Sequence, residues 1–176
     1  MDVGAYKGFY SLLASQFVHD GYVIAVEPDP DAFKFLLKSI ELNGIRNIIA
    51  LNVALSDSIN VMQRTRTIDD LLGELDLIPQ VIKIDVEGAE YSVLRGAKKL
   101  LTNHKPVLLI EVHANADFEI FDYLVELGYN IGLLSDEGEI LEKSLEEIKK
   151  KCRERRWTKY GTQMNQHIYC ECKSDD

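Results

Sequence analysis

Apolar residues along this chain fall into short blocks that alternate between helical spacing and unbroken runs. Phe9, Leu12, Leu13 and Phe17 recur at the spacing of one helix face, and Val23-Ile24-Ala25-Val26 is an apolar run of the kind that forms a strand buried on both faces. Asp29 followed by Pro30 supplies an N-cap and a first-turn proline; Phe33, Leu36, Leu37 and Ile40 make the apolar face of the helix they open, and Asn43-Gly44 closes it. Residues 48–53 predict the next strand. Thr67, with an acid three positions later at Asp70, predicts a capped short helix reaching about Glu74.

Residues 81–84 then predict a strand, and 90–101 a helix with Val93, Leu94, Ala97, Leu100 and Leu101 turned inward. Pro106 introduces a strand over 107–112. By this point the strand–helix alternation has repeated four times, which predicts a mostly parallel sheet with helices on both faces and right-handed crossovers. The remainder departs from that rhythm. A helix is expected over Phe118, Phe121, Leu124 and Val125, a strand at 130–134, a charged helix, and a terminal strand over 167–172 that pairs antiparallel with its predecessor. In the charged helix Leu141, Leu145, Ile148 and Cys152 keep an apolar face, with Glu146–Lys150 and Glu147–Lys151 as supporting pairs.

At 176 residues and 46% hydrophobic composition, with no linker-like stretch, the expectation is a single α/β domain over 1–176. A net charge of −9 argues against a partner bound through phosphate neutralisation, so no nucleic acid is expected. No apolar run approaches a membrane span and Met1 is followed at once by Asp2, which together suggest a cytoplasmic protein without membrane attachment. Cys152, Cys170 and Cys172 are an odd set without disulfide or zinc spacing; His167 nearby does not complete a ligand pattern, and no metal is expected. The basic stretch 149–156 reads as a helix end stabilised by its dipole, with a grip on an anionic substrate as the alternative.

Candidate chemistry begins at Asp2-Val3-Gly4-Ala5-Tyr6-Lys7-Gly8, a loop between a strand end and a helix. Gly4 and Gly8 permit a tight turn and close approach of the backbone to a ligand. The spacing lacks the central glycine of a dinucleotide fingerprint and adds an acid before the turn, so S-adenosylmethionine, which has no phosphate, fits better than a diphosphate. Asp2 is placed to meet its ammonium group. Glu27, followed by Pro28, ends the second strand where open α/β sheets put an acid for the ribose hydroxyls. Farther along, Lys83-Ile84-Asp85-Val86-Glu87-Gly88-Ala89-Glu90 sets charges at the end of a buried strand. Lys83 and Asp85 share one strand face, as do Glu111 and His113 on the expected neighbour, so four ionisable groups gather at the sheet's carboxyl edge. Structural readings compete there: Lys83 paired with Asp85 or Glu111, and Glu87 and Glu90 supporting the next helix N-terminus.

Through Asp2-Val3-Gly4-Ala5, Val26-Glu27-Pro28, Asn52-Val53-Ala54-Leu55-Ser56-Asp57, Thr67-Ile68-Asp69-Asp70-Leu71, residues 83–90 and Glu111-Val112-His113, the chain resembles the FkbM family of S-adenosylmethionine-dependent methyltransferases. The resemblance implies a seven-stranded Rossmann-like, doubly wound sheet of the class I methyltransferase type, with an antiparallel C-terminal strand. It implies S-adenosylmethionine held by Asp2, Gly4, Ala5, Gly8, Glu27, Pro28 and Asp85, with adenine near Val53, Ala54, Leu55 and Asp57. It also implies O-methylation of a hydroxyl, on a small-molecule acceptor such as a sugar or natural product. Only Met1 precedes the first loop, so the first strand is expected to be shortened.

Methyl transfer to a hydroxyl asks mainly for positioning, together with a base as the proton leaves; Asp85 and His113 are the catalytic candidates. Two other readings use the same residues. One is a non-catalytic S-adenosylmethionine-binding module, and the other a metal-dependent hydrolase with Asp85, Glu87, Glu90 and His113 as ligands. Trp157, Tyr160 and Tyr169 suit either sugar stacking or core packing.

Overall fold

The computed structural model describes all residues except 114, 136, 155, 158–162, 165 and 173–176, and for 156, 157, 163 and 164 only the backbone. In chain order its elements are β1 (Asp2–Val3), α1 (Phe9–Ser15), β2 (Val23–Val26), α2 (Pro30–Leu42), β3 (Ile48–Leu51), β4 (Ala54–Leu55), β5 (Thr65–Arg66), α3 (Ile68–Leu75) and β6 (Val81–Ile84). There follow α4 (Glu90–Arg95), α5 (Lys98–Asn103), β7 (Val107–Val112), α6 (Glu119–Glu126), β8 (Asn130–Leu134), β9 (Ile140–Leu141), α7 (Leu145–Arg153), β10 (Arg156–Trp157), β11 (Gln163–Met164) and β12 (Gln166–Glu171).

The main sheet runs β3-β2-β1-β6-β7-β12-β8-β9. Its first five strands are parallel. β12 lies antiparallel between β7 and β8, as expected of the terminal strand. Among the described residues the sheet has eight strands rather than seven, because the two-residue β9 folds back on the edge of β8. Strand order reverses between β1 and β6, the switch point where open α/β sheets bind ligands. β1 sits at the centre with two residues, Asp2 opposite Ala25 and Lys83, and Val3 opposite Val26 and Ile84.

One face of the sheet packs on α3 to α7 through Ile68, Leu94, Leu101, Phe121, Leu124 and Ile148, all fully buried or nearly so. The opposite face has a smaller core of Ala5, Ala25 and Leu36 under α1 and α2. Asp29 caps α2 by accepting from the amides of Asp31 and Ala32, as its sequence predicts. In α1 the outcome is reversed: Ser11 and Ser15 are buried, whereas Phe9 and Phe17 are 74% and 73% exposed and only Leu12 packs inward. Ser11 Oγ donates to buried Asp2 Oδ2 at 2.5 Å. A carboxylate in that position needs a hydroxyl facing it, and the small serines let α1 approach β1.

Four other elements differ from their sequence patterns. β3 ends at Leu51 because Asn52 turns away from the sheet edge, its Nδ2 donating to the carbonyls of Glu27 and Pro28. The helix expected over 90–101 breaks at Gly96-Ala97, although its five inward residues are buried as expected. Gly96 lies so close to Ser56 that a Cβ would sit 2.1 Å from the Ser56 carbonyl oxygen, and the amides of Lys99 and Leu100 that the break frees are capped by the Asp69 carboxylate. Thr67 caps α3 through the Asp70 amide, but the Asp70 carboxylate binds Arg66 instead of returning to Thr67. In α7, Glu147 turns back to cap Ser144 rather than running along the helix toward Lys151, and Lys149, a member of neither expected pair, reaches Asp122 at 2.7 Å. Leu141 lies in β9 rather than in that helix.

Candidate functional site

At the carboxyl edge of β1, β2, β6 and β7 the chain gathers its charged residues. Leaving β1, the loop turns at Gly4 and uses its amides at once: Gly4 N and Ala5 N both donate to Val26 O at 3.0 Å, Tyr6 N to Glu27 Oε2 at 2.7 Å, and Gly8 N to Ala5 O at 2.8 Å. Glu27 is buried and accepts a second amide, that of Asp29, at 2.8 Å. These amides are therefore tied to β2 and to the loop itself, not presented as a cradle for phosphate.

Packing also holds Gly4 and Gly8 to glycine. A Cβ on Gly4 would stand 1.8 Å from the Asp85 carbonyl oxygen, and one on Gly8 would stand 2.5 Å from Leu36 Cδ1. Close approach between the first loop and the end of β6 thus sets the geometry of the site. Asp2 is likewise less open than expected. Its carboxylate is buried, with Oδ2 held by Ser11 and Oδ1 in an ion pair with Lys83 Nζ at 3.3 Å, beyond which Oδ1 accepts no hydrogen bond among the described residues.

Lys83 links this loop to the next strand. Its Nζ lies 3.2 Å from Asp85 Oδ2 and 3.2 Å from the Gly4 carbonyl, under the ring of Tyr10 at 5.0 Å from its centroid. Asp85 Oδ1 faces His113 Nε2 at 3.8 Å, and the other imidazole nitrogen, Nδ1, makes a 2.7 Å hydrogen bond with Glu90 Oε1. Glu90 also accepts from Gly88 N and is fully buried. Glu111 completes the group, with Oε1 3.9 Å from His113 Nε2 and Oε2 3.3 Å from His167 Nε2. That contact, more than the opposing effect of burial, holds the His167 pKa above its ordinary value.

The four groups expected to gather, Lys83, Asp85, Glu111 and His113, do so, and three more join them. Asp2 enters through the β1–β6 register. His167 enters because β12 places it opposite Glu111, which no spacing in the sequence signals. Glu90 reads in sequence as a helix-start acid; its position one strand-end away from His113 makes it the imidazole's orienting partner. The hydrolase ligand set does not assemble, since Glu87 is exposed and Glu90 stands behind His113.

Of the expected adenine contacts, Val53 is half-buried against the main core and Ala54 is in β4, beside the Asn52 that ties this segment to Glu27 and Pro28. Asp57 faces α4, pairing with Arg95 at 3.1 Å, and its amide donates to Ser92 Oγ. Pro28 is exposed. Farther away, the Arg153 guanidinium lies over the Phe118 ring at 4.7 Å, so two cations of the basic stretch, Lys149 and Arg153, serve α6 rather than an anion. Tyr169 is half-buried and donates its hydroxyl to Glu171. The Trp157 side chain and Tyr160 lie outside the described residues. Among the described residues no helix is long and apolar enough to cross a membrane.

Residues 56–131, less than half of the chain, match the model of the methyltransferase FkbM domain. Among solved structures the chain is similar to a methyltransferase FkbM from Methylobacillus flagellatus KT, with 22% identity and a TM-score of 0.67, over 96% of this chain and 42% of that one. It therefore spans under half of that relative's length. It also resembles a precorrin-6y C5,15-methyltransferase from Geobacter metallireducens GS-15, with 16% identity and a TM-score of 0.60, over 98% of this chain and 78% of that one. An O-methyltransferase from Bacillus cereus in complex with SAH matches with 12% identity and a TM-score of 0.61, over 98% of this chain and 72% of that one. At these identities the structural likeness establishes a class I methyltransferase fold, Rossmann-like and doubly wound. No curated protein matches the chain.

Proposed function

We propose, from the match of residues 56–131 to the methyltransferase FkbM domain, that the chain is an S-adenosylmethionine-dependent methyltransferase acting on a hydroxyl of a small-molecule acceptor, such as a sugar or natural product. The observation that carries this reading is the state of the first loop. Its amides are engaged by Val26, Glu27 and Ala5, and an acid, Asp2, stands beneath it with Oδ1 held only by the 3.3 Å ion pair to Lys83 among the described residues. A diphosphate gains nothing there. A cofactor with an amino-acid end and a ribose fits, since Glu27 uses one lone pair on each oxygen for Tyr6 N and Asp29 N and retains others for hydroxyls. When bound, S-adenosylmethionine supplies a methyl group already activated by its sulfonium.

The remaining work falls to the chain's own side chains. Gly4, Ala5 and Gly8 shape the loop, Glu27 and Pro28 receive the ribose, and Val53 and Ala54, with Asp57 nearby, border the adenine side. Lys83 fixes Asp2 and Asp85 relative to each other. Asp85 and His113 form the polar edge at which an acceptor hydroxyl is held and loses its proton. Glu90 sets the orientation of His113.

Calorimetric titration with S-adenosylmethionine and with dinucleotides, followed by an acceptor screen for S-adenosylhomocysteine formation, tests the reading. His113→Ala and Asp85→Asn should each lower turnover by about 10²-fold or more with cofactor affinity largely kept. Tight dinucleotide binding without a response to S-adenosylmethionine refutes the cofactor; wild-type turnover in both variants refutes the catalytic assignment. Cofactor binding with no product from any acceptor identifies a non-catalytic module instead.

A further inference from the structure

Helix α1 is packed with its small residues inward and its large ones outward. Ser11 and Ser15 face the sheet, while Phe9, Tyr10, Leu13 and Phe17 form a stripe on the opposite side of the helix. Tyr10 and Leu13 are 53% and 45% exposed, beside the 74% and 73% of Phe9 and Phe17. No charged residue occurs from Gly8 to Phe17. A surface helix ordinarily turns a polar face to water, and one that is apolar on its outer side is covered there. The stripe continues at its start: Phe9 and Tyr10 meet edge to face at 5.2 Å, and Lys7 bridges the exposed rings of Tyr6 and Phe35, 5.0 Å and 5.1 Å from their centroids.

An aromatic side chain carries roughly 150–250 Å² of surface, so these five rings, each more than half exposed, leave with Leu13 roughly 600–700 Å² of largely apolar surface in water. That exceeds the roughly 300–600 Å² of the largest such patch on an ordinary monomer. It approaches the ~800 Å² that each partner contributes to a stable interface. Two features select a second copy of this chain as the occupant. Phe9, Leu13 and Phe17 recur at four-residue intervals, a spacing symmetric about Leu13. Two such segments crossing antiparallel on a two-fold axis set Leu13 against itself and Phe9 of one protomer against Phe17 of its partner. Two copies carrying −9 each also repel least through a face free of charge. A lipid surface finds no free cations to match its headgroups here: Lys7 lies against the Tyr6 and Phe35 rings, and Lys34 and Lys38 of α2 pair with Asp31 and Glu41.

We propose that the outward face of α1, with Tyr6 and Phe35 at its margin, is the interface of a symmetric homodimer of this chain. Tyr10 carries that interface to the rim of the candidate site, since its ring lies over the Lys83 ammonium that pairs with Asp85. Assembly shields this edge from water. The dimer rests on the α1 surface alone and is independent of the methyl-transfer reading.

Sedimentation velocity of the full chain from about 1 to 100 μM should show a dimer of twice the 20.0 kDa chain mass that dissociates on dilution. Leu13→Glu and Phe17→Glu, both at exposed side chains, should each weaken association at least about a hundredfold, because the two-fold axis buries the new carboxylate from both protomers. The uncharged Phe9→Gln should weaken it about tenfold. Met62→Glu, in the turn between β4 and β5, should leave it unchanged. Circular dichroism checks that each variant is folded. In the unsubstituted protein, where no variant's folding enters, the melting temperature should rise by about 1–3 °C per tenfold increase in concentration. A monomer at about 100 μM with a melting temperature independent of concentration overturns the proposal. So does a dimer that Leu13→Glu and Phe17→Glu both leave intact, which puts the contact elsewhere. A monomer that floats with neutral phosphatidylcholine vesicles overturns it too, and makes α1 a lipid-binding face.

Discussion

Replacing Gly4 by alanine tests whether that glycine serves the ligand or the fold. Its φ is +78°, and an added Cβ would lie 1.8 Å from the carbonyl oxygen and 2.9 Å from the carbonyl carbon of Asp85. Both are backbone atoms, and Asp85 N is bonded to Val3 O at 3.0 Å, so neither strand end yields without losing that pairing. The conformational part costs about 1–2 kcal/mol for a left-handed non-glycine residue. Relief of the clash adds roughly 1–3 kcal/mol, for a total near 2–5 kcal/mol. Gly44 isolates the first part: its φ is +63° and nothing lies within 4 Å of its Cβ position. Gly44→Ala should therefore cost only about 1–2 kcal/mol. In thermal and denaturant unfolding, Gly4→Ala should melt several degrees below Gly44→Ala, given about 2–4 °C per kcal/mol for a chain of this size. Equal stability of the two variants, with S-adenosylmethionine affinity lost only in Gly4→Ala, would refute the packing argument and restore the ligand-approach reading.

NMR titration should show His167 above its ordinary pKa, and Glu111→Gln should bring it down. Because the folded value is raised, stability from this contact is fully present below the ordinary histidine pKa of 6.5 and fades as pH rises through the folded value. Thiol reagents should label Cys172 in the native protein well before Cys152 and Cys170: burial pushes the Cys152 thiol up to about 12 and raises Cys170 further, and both are enclosed. Labelling of all three at one rate would contradict this. Asp69→Ala should destabilise the chain by about 1–2 kcal/mol, measured by denaturant unfolding, because the Lys99 and Leu100 amides at the start of α5 lose their cap. A change within experimental error would show that water replaces the carboxylate there.

Strand and helix order, the inward faces of the helices after β6, and the antiparallel last strand were legible in sequence because they depend on local periodicity and on capping groups within a few residues. Asp29-Pro30 and the run 107–112 are examples: everything that shapes them is adjacent in the chain. The sequence also marked Lys83, Asp85, Glu111 and His113 as one group, since the two-residue strand period and the rule that parallel strands end together suffice for that. Tertiary structure alone decided the rest. The α1 face toward the sheet was set by Asp2, nine residues from Ser11, and not by the helix's own apolar residues. Gly4 answers to a carbonyl eighty-one positions away, Glu90 to an imidazole on another strand, and His167 to Glu111 only through the register of β12 against β7. Periodicity describes how a segment repeats along itself, whereas hydrogen-bond satisfaction and close packing are fixed by whichever atoms the crossovers bring near, and that information is not local to any segment.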